Sequence, residues 1–252
     1  MAKAKSSKPP SYNVRVSDRA KHVSIKVSHL SEVEIVVPRG FDMQQIPEIL
    51  QKRQEWIAKT TQRIAAERRS LTHELVQSPQ IPSPTFPEQL SLRSLLEEWT
   101  IHYQPTEQPQ ITFSTPAPHQ IIIQGKVEQP NCSLALQYWL KRKAETHLTP
   151  WLRLISHEIN LSCNQISVRG QKTLWASCSS KKNISLNFKL LFLPPHLVRY
   201  VLIHELCHTI HLDHSQHFWA LVEKKEPNYR AIDLELNKAW IYIPEWVERT
   251  SG

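Results

Sequence analysis

The chain has 252 residues, a formal charge of +8 and a mean hydropathy of −0.42, values typical of a soluble globular protein that can bury a core. No apolar stretch is long enough to cross a bilayer, and the four glycines lie too far apart to form a phosphate loop or a dinucleotide-binding motif. The excess of basic residues favours an anionic partner such as a nucleotide or a nucleic acid.

The first part of the chain predicts a small strand-rich subdomain. Residues 1–11 are rich in Lys, Ser and Pro and are predicted to be disordered. Alternating apolar residues between Val14 and Val37 predict three short strands, and apolar residues at helical spacing from Ile46 to Ile64 predict a helix. We therefore predict an α+β subdomain at residues 12–77, followed by a stiff proline-rich linker at residues 78–89.

Residues 90–252 are predicted to form the second domain. Its first segment, Leu90–Trp99, is compatible with a short helix, and the segment from Gln110 to Gln124 contains two stretches typical of strands. The apolar residues from 133 to 160 lack an alternating pattern, which predicts a helix that is broken or kinked at Pro150.

The following segment predicts a short antiparallel sheet and a buried helix. Ile166–Arg169 and Ile184–Phe188 are typical of strands, and the segment Leu174–Ser180 is predicted to form a structured loop between them. The run His196–Leu212 is apolar on most sides and follows two prolines, which favours a buried helix. The predicted fold class is therefore α+β.

This helix contains an H-E-x-x-H motif formed by His204, Glu205 and His208. Two histidines four positions apart lie on one helix face, about 6 Å apart along the axis, and can bind one metal ion. A carboxylate at Glu205 can take a proton from the attacking water and deliver it to the leaving group. Because these polar residues inside an apolar helix would cost free energy unless paired or metal-bound, the motif predicts a metal site.

A catalytic zinc needs a third protein ligand, and His214 is the first choice. His211 shares the helix face of His204, but seven helical residues separate them by about 10.5 Å, too far for a common ion. The ligand must therefore follow the end of the helix, where Asp and Ser flank His214 and favour a turn. The spacing from His208 equals that of metzincins, but His211 replaces their glycine and no methionine follows, which argues against that family.

Other residues stay open as third ligands. Glu223 or Glu226 on the following helix would give a thermolysin-type site and rank second. Asp213 and His217 rank lower, because the aspartate can cap a helix and the histidine can be an ordinary exposed side chain. His211 is predicted to support the site without binding the ion.

Further residues are candidates for substrate contacts. Trp175 and Ser177 either line a cleft or pack within their loop. Tyr229 and Arg230 are candidates for stabilising a developing oxyanion. The strand predicted at Ile184–Phe188 would offer an edge along which an extended peptide aligns.

Several motifs occur in the order found in a known family: Arg19–Lys21, Val23–Ile25, Val36–Gly40, Trp56-Ile57, Trp175–Ser179, Ile184–Asn187, Tyr200-Val201, His204–His208, His214-Ser215 and Phe218-Trp219. With these motifs the chain resembles the YgjP-like metallopeptidases, zinc-dependent hydrolases related to the SprT and WLM groups. The resemblance implies a zincin-like α+β catalytic region. It also implies His204, His208 and His214 as metal ligands and Glu205 as the general base.

The leading hypothesis is a zinc-dependent peptidase that holds one zinc ion, with Glu205 as general base and a peptide or protein as substrate. Two alternatives stay open: a metal-dependent hydrolase of nucleotides or phosphoanhydrides, and a nucleic-acid-associated protein with a structural zinc. Because the four cysteines include no C-x-x-C pair and no apolar leader follows the first residues, we expect a cytoplasmic protein with free thiols.

Overall fold

The computed structural model describes most of the chain, namely residues 12–28, 32–75, 86–128 and 131–249. Its contacts divide the chain into two compact units, residues 1–80 and residues 81–252. The predicted disordered segment 1–11 and residues 78–85 of the predicted linker lie outside the described residues.

The first unit combines three strands and one long helix. Strands β1 (Tyr12–Ser17), β2 (Ser24–Val27) and β3 (Val33–Pro38) form a sheet in which β3 is central, parallel to β1 and antiparallel to β2. Helix α1 (Ile46–Leu75) follows, so the three predicted strands and the predicted helix are confirmed. Alternate residues of β3 and one face of α1 form the core of this unit: Val33, Ile35, Val37, Ile46, Leu50 and Ile57.

The second unit begins with a four-stranded sheet of order β4-β5-β7-β6. Its strands are β4 (Gln89–Leu92), β5 (Glu97–Pro105), β6 (Thr112–Ser114) and β7 (Gln120–Gly125). The pairs β4–β5 and β6–β7 are antiparallel, whereas β5 and β7 run parallel. The two strands predicted between Gln110 and Gln124 are confirmed as β6 and β7.

The helix predicted at Leu90–Trp99 is wrong. Leu90 and Leu92 are buried and alternate with more exposed neighbours, which is the pattern of a strand. Leu96 adopts a left-handed conformation with φ of 55° after a short 3₁₀ turn, and the chain returns as β5. The leucines of this segment therefore belong to a strand and to the turn that leads into a second strand. Their spacing along the sequence resembles that of apolar residues in a helix.

Helix α2 (Asn131–Glu158) is continuous through Pro150, so the predicted break is not found, and the kink that was its alternative stays a prediction. Proline removes one main-chain hydrogen bond from a helix interior. The fully buried Leu148, Leu152 and Ile155 flank the proline and anchor both sides of it in the core. The packing of these apolar side chains offsets the free energy that is lost with the main-chain hydrogen bond.

The second sheet of this unit has the order β8-β10-β9, with strands β8 (Ile166–Arg169), β9 (Ala176–Cys178) and β10 (Ile184–Asn187). It is mixed and not purely antiparallel, because β8 is parallel to β10 while β9 is antiparallel to it. Strand β9 lies within the segment predicted as a loop. Because β10 is central, the predicted peptide-binding edge at Ile184–Phe188 is wrong, and β9 forms an edge of the sheet.

Helix α3 (Pro195–Cys207) is buried on nearly every side and packs against α2 and two later helices, which confirms the predicted buried helix. It ends five residues earlier than predicted. The later helices are α4 (Gln216–Lys225), α5 (Tyr229–Leu236) and α6 (Glu245–Arg249). In the described part of the chain, no helix combines the length and apolar character that a membrane span requires. The α+β fold class is confirmed.

Candidate metal centre

Three histidines converge where α3 gives way to α4. His204 lies in the last turn of α3, His208 is its C-terminal cap, and His214 lies in the loop directly before Ser215, the N-cap of α4. Their ring nitrogens all lie within 4.8 Å of one another, a grouping that can hold a metal ion. His208 is buried and His204 half-buried, whereas His214 is exposed, so the group is open on the side of His214.

The early end of α3 explains how the third ring reaches the other two. The amides of Ile210 and His211 both bond to the carbonyl of Cys207, which closes the helix in a tight turn. The chain then reverses direction and carries His214 back toward the helix. If the helix continued, each further residue would lie about 1.5 Å farther along its axis, and later histidines would be too far from His204 to share one ion.

The ring of His208 is oriented by the main chain. Its Nδ1 lies 2.9 Å from the carbonyl oxygen of His211. A carbonyl only accepts hydrogen bonds, so Nδ1 carries the hydrogen and Nε2 keeps its lone pair free for an ion. His211 thus contacts the site through its backbone carbonyl and not through its side chain, and the supporting role predicted for this histidine stays a prediction.

The spacing of one pair of rings and the protonation of the two more buried rings fit a zinc ion. The Nε2 atoms of His204 and His214 lie 3.2 Å apart. Two nitrogens bound to one tetrahedral zinc at its usual bond length are separated by about 3.3 Å. Burial, followed by the neighbouring rings of His208 and His214, lowers the pKa of His204 to about 3, and burial also lowers the pKa of His208. These two rings are therefore neutral near pH 7, which is the form that binds metal.

Two aromatic residues of α4 surround the histidines. The fully buried Phe218 lies with its ring centroid 4.3 Å from that of His208 and 4.9 Å from those of His204 and His214. Trp219 stacks on His214 at 5.6 Å. These contacts restrict rotation of the imidazoles, so Phe218 and Trp219 act as packing around the site.

Glu205 places a buried carboxylate beside this group. Its side chain is buried, and its Oε2 atom has no hydrogen-bond partner among the described residues. Burial raises its pKa to about 8. A buried carboxylate without a partner costs free energy, which marks this oxygen as one that meets a ligand or a reacting water.

Strand β9 borders the same carboxylate. The pKa of Cys178 at the end of β9 is raised to about 11, first by burial and then by the charge of Glu205. Helix α3 also packs directly on β9. The edge strand of the second sheet therefore lies beside the H-E-x-x-H helix.

The structure does not bring the glutamate alternatives into the group. Among the described residues, only the three histidines form a group close enough together to hold a metal ion. Glu223 is half-exposed and pairs with the exposed Arg230 at 3.6 Å. Glu226 is the C-terminal cap of α4, at the end of the helix opposite His214.

The two weaker alternatives also lie outside the cluster. Asp213 is exposed, and hydrogen bonds from Ser215 lower the pKa of its carboxyl. The N-cap of α4 is Ser215, so the capping role considered for Asp213 is not found. His217 is exposed in the first turn of α4, and its ring centroid lies 6.1 Å from that of His211.

Of the two predicted oxyanion candidates, Tyr229 is buried and Arg230 is exposed. The ring of Tyr229 stacks on Trp219 at 5.4 Å, and its hydroxyl accepts a hydrogen bond from Nε of Arg230 at 3.1 Å. Trp219 in turn lies against His214. Tyr229 is therefore linked to the site through Trp219, and a role for either candidate in stabilising an oxyanion stays a prediction.

The loop before β9 is held by Asn187, the last residue of the Ile184–Asn187 motif, for which no role was predicted. The fully buried Asn187 donates from its amide to the carbonyls of Gln171 and Leu174, both at 2.8 Å, and its main-chain NH donates to the carbonyl of Trp175. Trp175 stacks on Trp240 with ring centroids 3.9 Å apart. Packing is thus the observed role of Trp175.

Tyr200 belongs to one of the family motifs, but no role was predicted for it, although its position four residues before His204 places both on one helix face. Its hydroxyl donates to Oδ1 of Asp233 on α5 at 2.9 Å, and its ring lies 5.9 Å from that of His204. We expect Tyr200→Phe to lower the free energy of unfolding by about 1–2 kcal/mol, because it leaves Asp233 without this donor. Urea unfolding measures the change, and Tyr138→Phe, at an exposed position of α2, should change it by less than about 0.5 kcal/mol.

Comparison with known proteins identifies the family. The family model described as YgjP-like, metallopeptidase domain, matches residues 21–239. The crystal structure of the metallopeptidase zymogen of Pyrococcus abyssi abylysin is 30% identical over 34% of this chain and 90% of that chain, with a TM-score of 0.31. The comparison with curated proteins gave no match, and the matches found do not support the predicted nucleotide or nucleic-acid partner. Because the family model spans most of the sequence, the chain belongs to the YgjP-like metallopeptidase family, as its motifs predicted.

Proposed function

We propose that the protein is a zinc-dependent peptidase in which His204, His208 and His214 hold one zinc ion and Glu205 is the general base. The observation that carries the proposal is the convergence of three imidazoles beside a buried carboxylate oxygen without a partner. Family membership supports hydrolysis of peptide bonds. Three protein ligands leave one coordination position open, which distinguishes a catalytic from a structural zinc site.

The reaction follows from the placement of these side chains. When bound, zinc supplies Lewis acidity that polarises a carbonyl oxygen and lowers the pKa of water. Glu205 takes a proton from the attacking water and delivers it to the leaving amine, which makes the amine a better leaving group. Phe218 keeps the imidazoles in place on the buried side, so the geometry needs little rearrangement during the reaction.

Strand β9 is the proposed docking edge for the substrate. It ends the sheet order β8-β10-β9, so its outer main-chain groups are free of strand pairing among the described residues. A peptide in extended conformation can pair with such an edge through main-chain hydrogen bonds, which accommodate many sequences. Since β9 borders Glu205, a peptide paired with it would pass the site with its backbone carbonyls within reach.

The proposal is tested with Glu205→Gln. We expect this variant to cleave internally quenched peptides about 10²- to 10⁴-fold more slowly, because glutamine cannot accept the proton. It should retain one zinc per chain, measured by mass spectrometry, since the histidines are unchanged.

The matched control is Glu223→Gln, which removes a carboxylate on the neighbouring helix and should keep full activity. Equal rates for wild type and Glu205→Gln would contradict the assigned base. If the zinc-loaded wild type hydrolyses nucleotides and leaves all peptides intact, the peptidase proposal is wrong.

A further inference from the structure

A row of hydroxyls crosses the outer face of the second sheet. The strand register places Ser167 of β8 and Ser177 of β9 on either side of Ser185 of β10. Side chains alternate along each strand, and the neighbouring row of Val168, Leu186 and Ala176 is buried in the core. The three serines therefore share the face that points away from the core.

A cavity of about 590 Å³ lies over this face, and its lining includes all three serines. Arg169 of β8 and Arg153 of α2 also line it, and no aspartate or glutamate does. Neither arginine forms an ion pair with another residue in the described part of the chain. The cavity thus combines two uncompensated positive charges with a polar floor.

One hydroxyl group on the floor of the cavity has no hydrogen-bond partner among the described residues. The Oγ atom of Ser185 is shielded from solvent and has no partner among the described residues. A buried hydroxyl without a partner is costly, and rotation of the Ser185 side chain toward an acceptor in the cavity would remove this cost. Arginine guanidinium groups bind carboxylates in a bidentate manner, so guanidinium and hydroxyl donors together suit an oxyanion.

The cavity is continuous with the proposed docking edge. Ser177 and Cys178 of β9 line it, and the same strand packs against α3, the helix that carries Glu205. A peptide paired with β9 projects every second side chain toward the outer face of the sheet. Such a side chain, or the end of a short peptide, would lie at the mouth of the cavity.

We propose that this cavity is an anion subsite that binds a carboxylate of the substrate, so that the enzyme prefers acidic peptides. The carboxylate comes from an aspartate or glutamate side chain or from the C-terminus. The inference rests on the proposed peptidase function. It assigns Arg153 and Arg169 as residues that determine specificity.

The test uses the zinc-loaded full chain and pairs of internally quenched peptides that differ by glutamate or glutamine at one position, scanned along the peptide. At one position we expect kcat/KM to be about 10-fold higher for glutamate, the gain expected from one charge-assisted contact. In the double variant Arg153→Gln/Arg169→Gln this ratio should fall close to 1. Arg142→Gln, which removes an exposed positive charge from α2 away from the cavity, should leave the ratio unchanged.

Peptides with a free or an amidated C-terminus distinguish the two sources of the carboxylate. A preference lost on amidation assigns the cavity to the C-terminus, and a preference that follows glutamate assigns it to a side chain. Cleavage without either preference, or a preference that survives in the double variant, overturns the subsite while the peptidase function stands. If no peptide is cleaved, both proposals fail.

Discussion

His214→Ala should release zinc from the folded protein and reduce peptide hydrolysis to the level of the blank. The side chain supplies one of three converging nitrogens, and its Nε2 lies 3.2 Å from that of His204. Loss of a residue that only orients a ligand weakens metal binding about 10- to 100-fold, and loss of a ligand itself should cost more. Zinc content is measured by mass spectrometry after dialysis against a weak chelator.

His211→Ala is the matched control, because it removes a histidine from the same loop and keeps the main-chain carbonyl that orients His208. This variant should retain one zinc per chain and most of the activity. Circular dichroism should show that both variants are folded. A folded His214→Ala protein that keeps a full equivalent of zinc would contradict the ligand assignment, and Glu223 would then be the residue to replace.

The pairing of His204 and His208 was predictable because it depends only on helical spacing. Placing His214 beside them required the position where α3 ends, and the sequence suggested an end five residues too late. The tight turn at Cys207 depends on main-chain hydrogen bonds, and no residue type in this segment predicts where they form. The structure nevertheless brings His214 to the other two histidines, because any end of the helix before that residue allows the chain to turn back, and its role as a ligand stays a prediction.

The edge strand was not predictable for a different reason. Strand β9 has three residues, Ala176–Cys178, too few to show an alternating pattern. Its place at the edge depends on long-range pairing with β10, which local sequence does not encode. The sequence therefore predicts the apolar run at Ile184 as the exposed edge, whereas this run is the central strand. Leu90–Trp99 was misassigned because a left-handed residue at Leu96 reverses a chain that is otherwise rich in leucine.

A buried ion pair beside the loop of Trp175 also escaped sequence reasoning. Lys189 is fully buried, a rare state for lysine, and its Nζ lies 2.7 Å from Oε1 of Glu248 on α6. The ring of Trp240, which stacks on Trp175, lies 5.5 Å from the same ammonium group. The pair thus ties the last helix to the segment that follows β10.

Glu248→Gln should lower the free energy of unfolding by about 3–5 kcal/mol, because it leaves the buried ammonium group of Lys189 without its counter-charge. The double variant Lys189→Met/Glu248→Gln should be much less destabilised, since the buried charge is removed together with its partner and methionine fills a similar volume. Urea unfolding of wild type and the three variants, including Lys189→Met, gives the coupling energy between the two sites.

Glu245→Gln, a change on the same helix, is the control. Additive losses in the double variant would show that the two residues stabilise the fold independently, and the helix would then be held by its apolar contacts, chiefly the fully buried Val247.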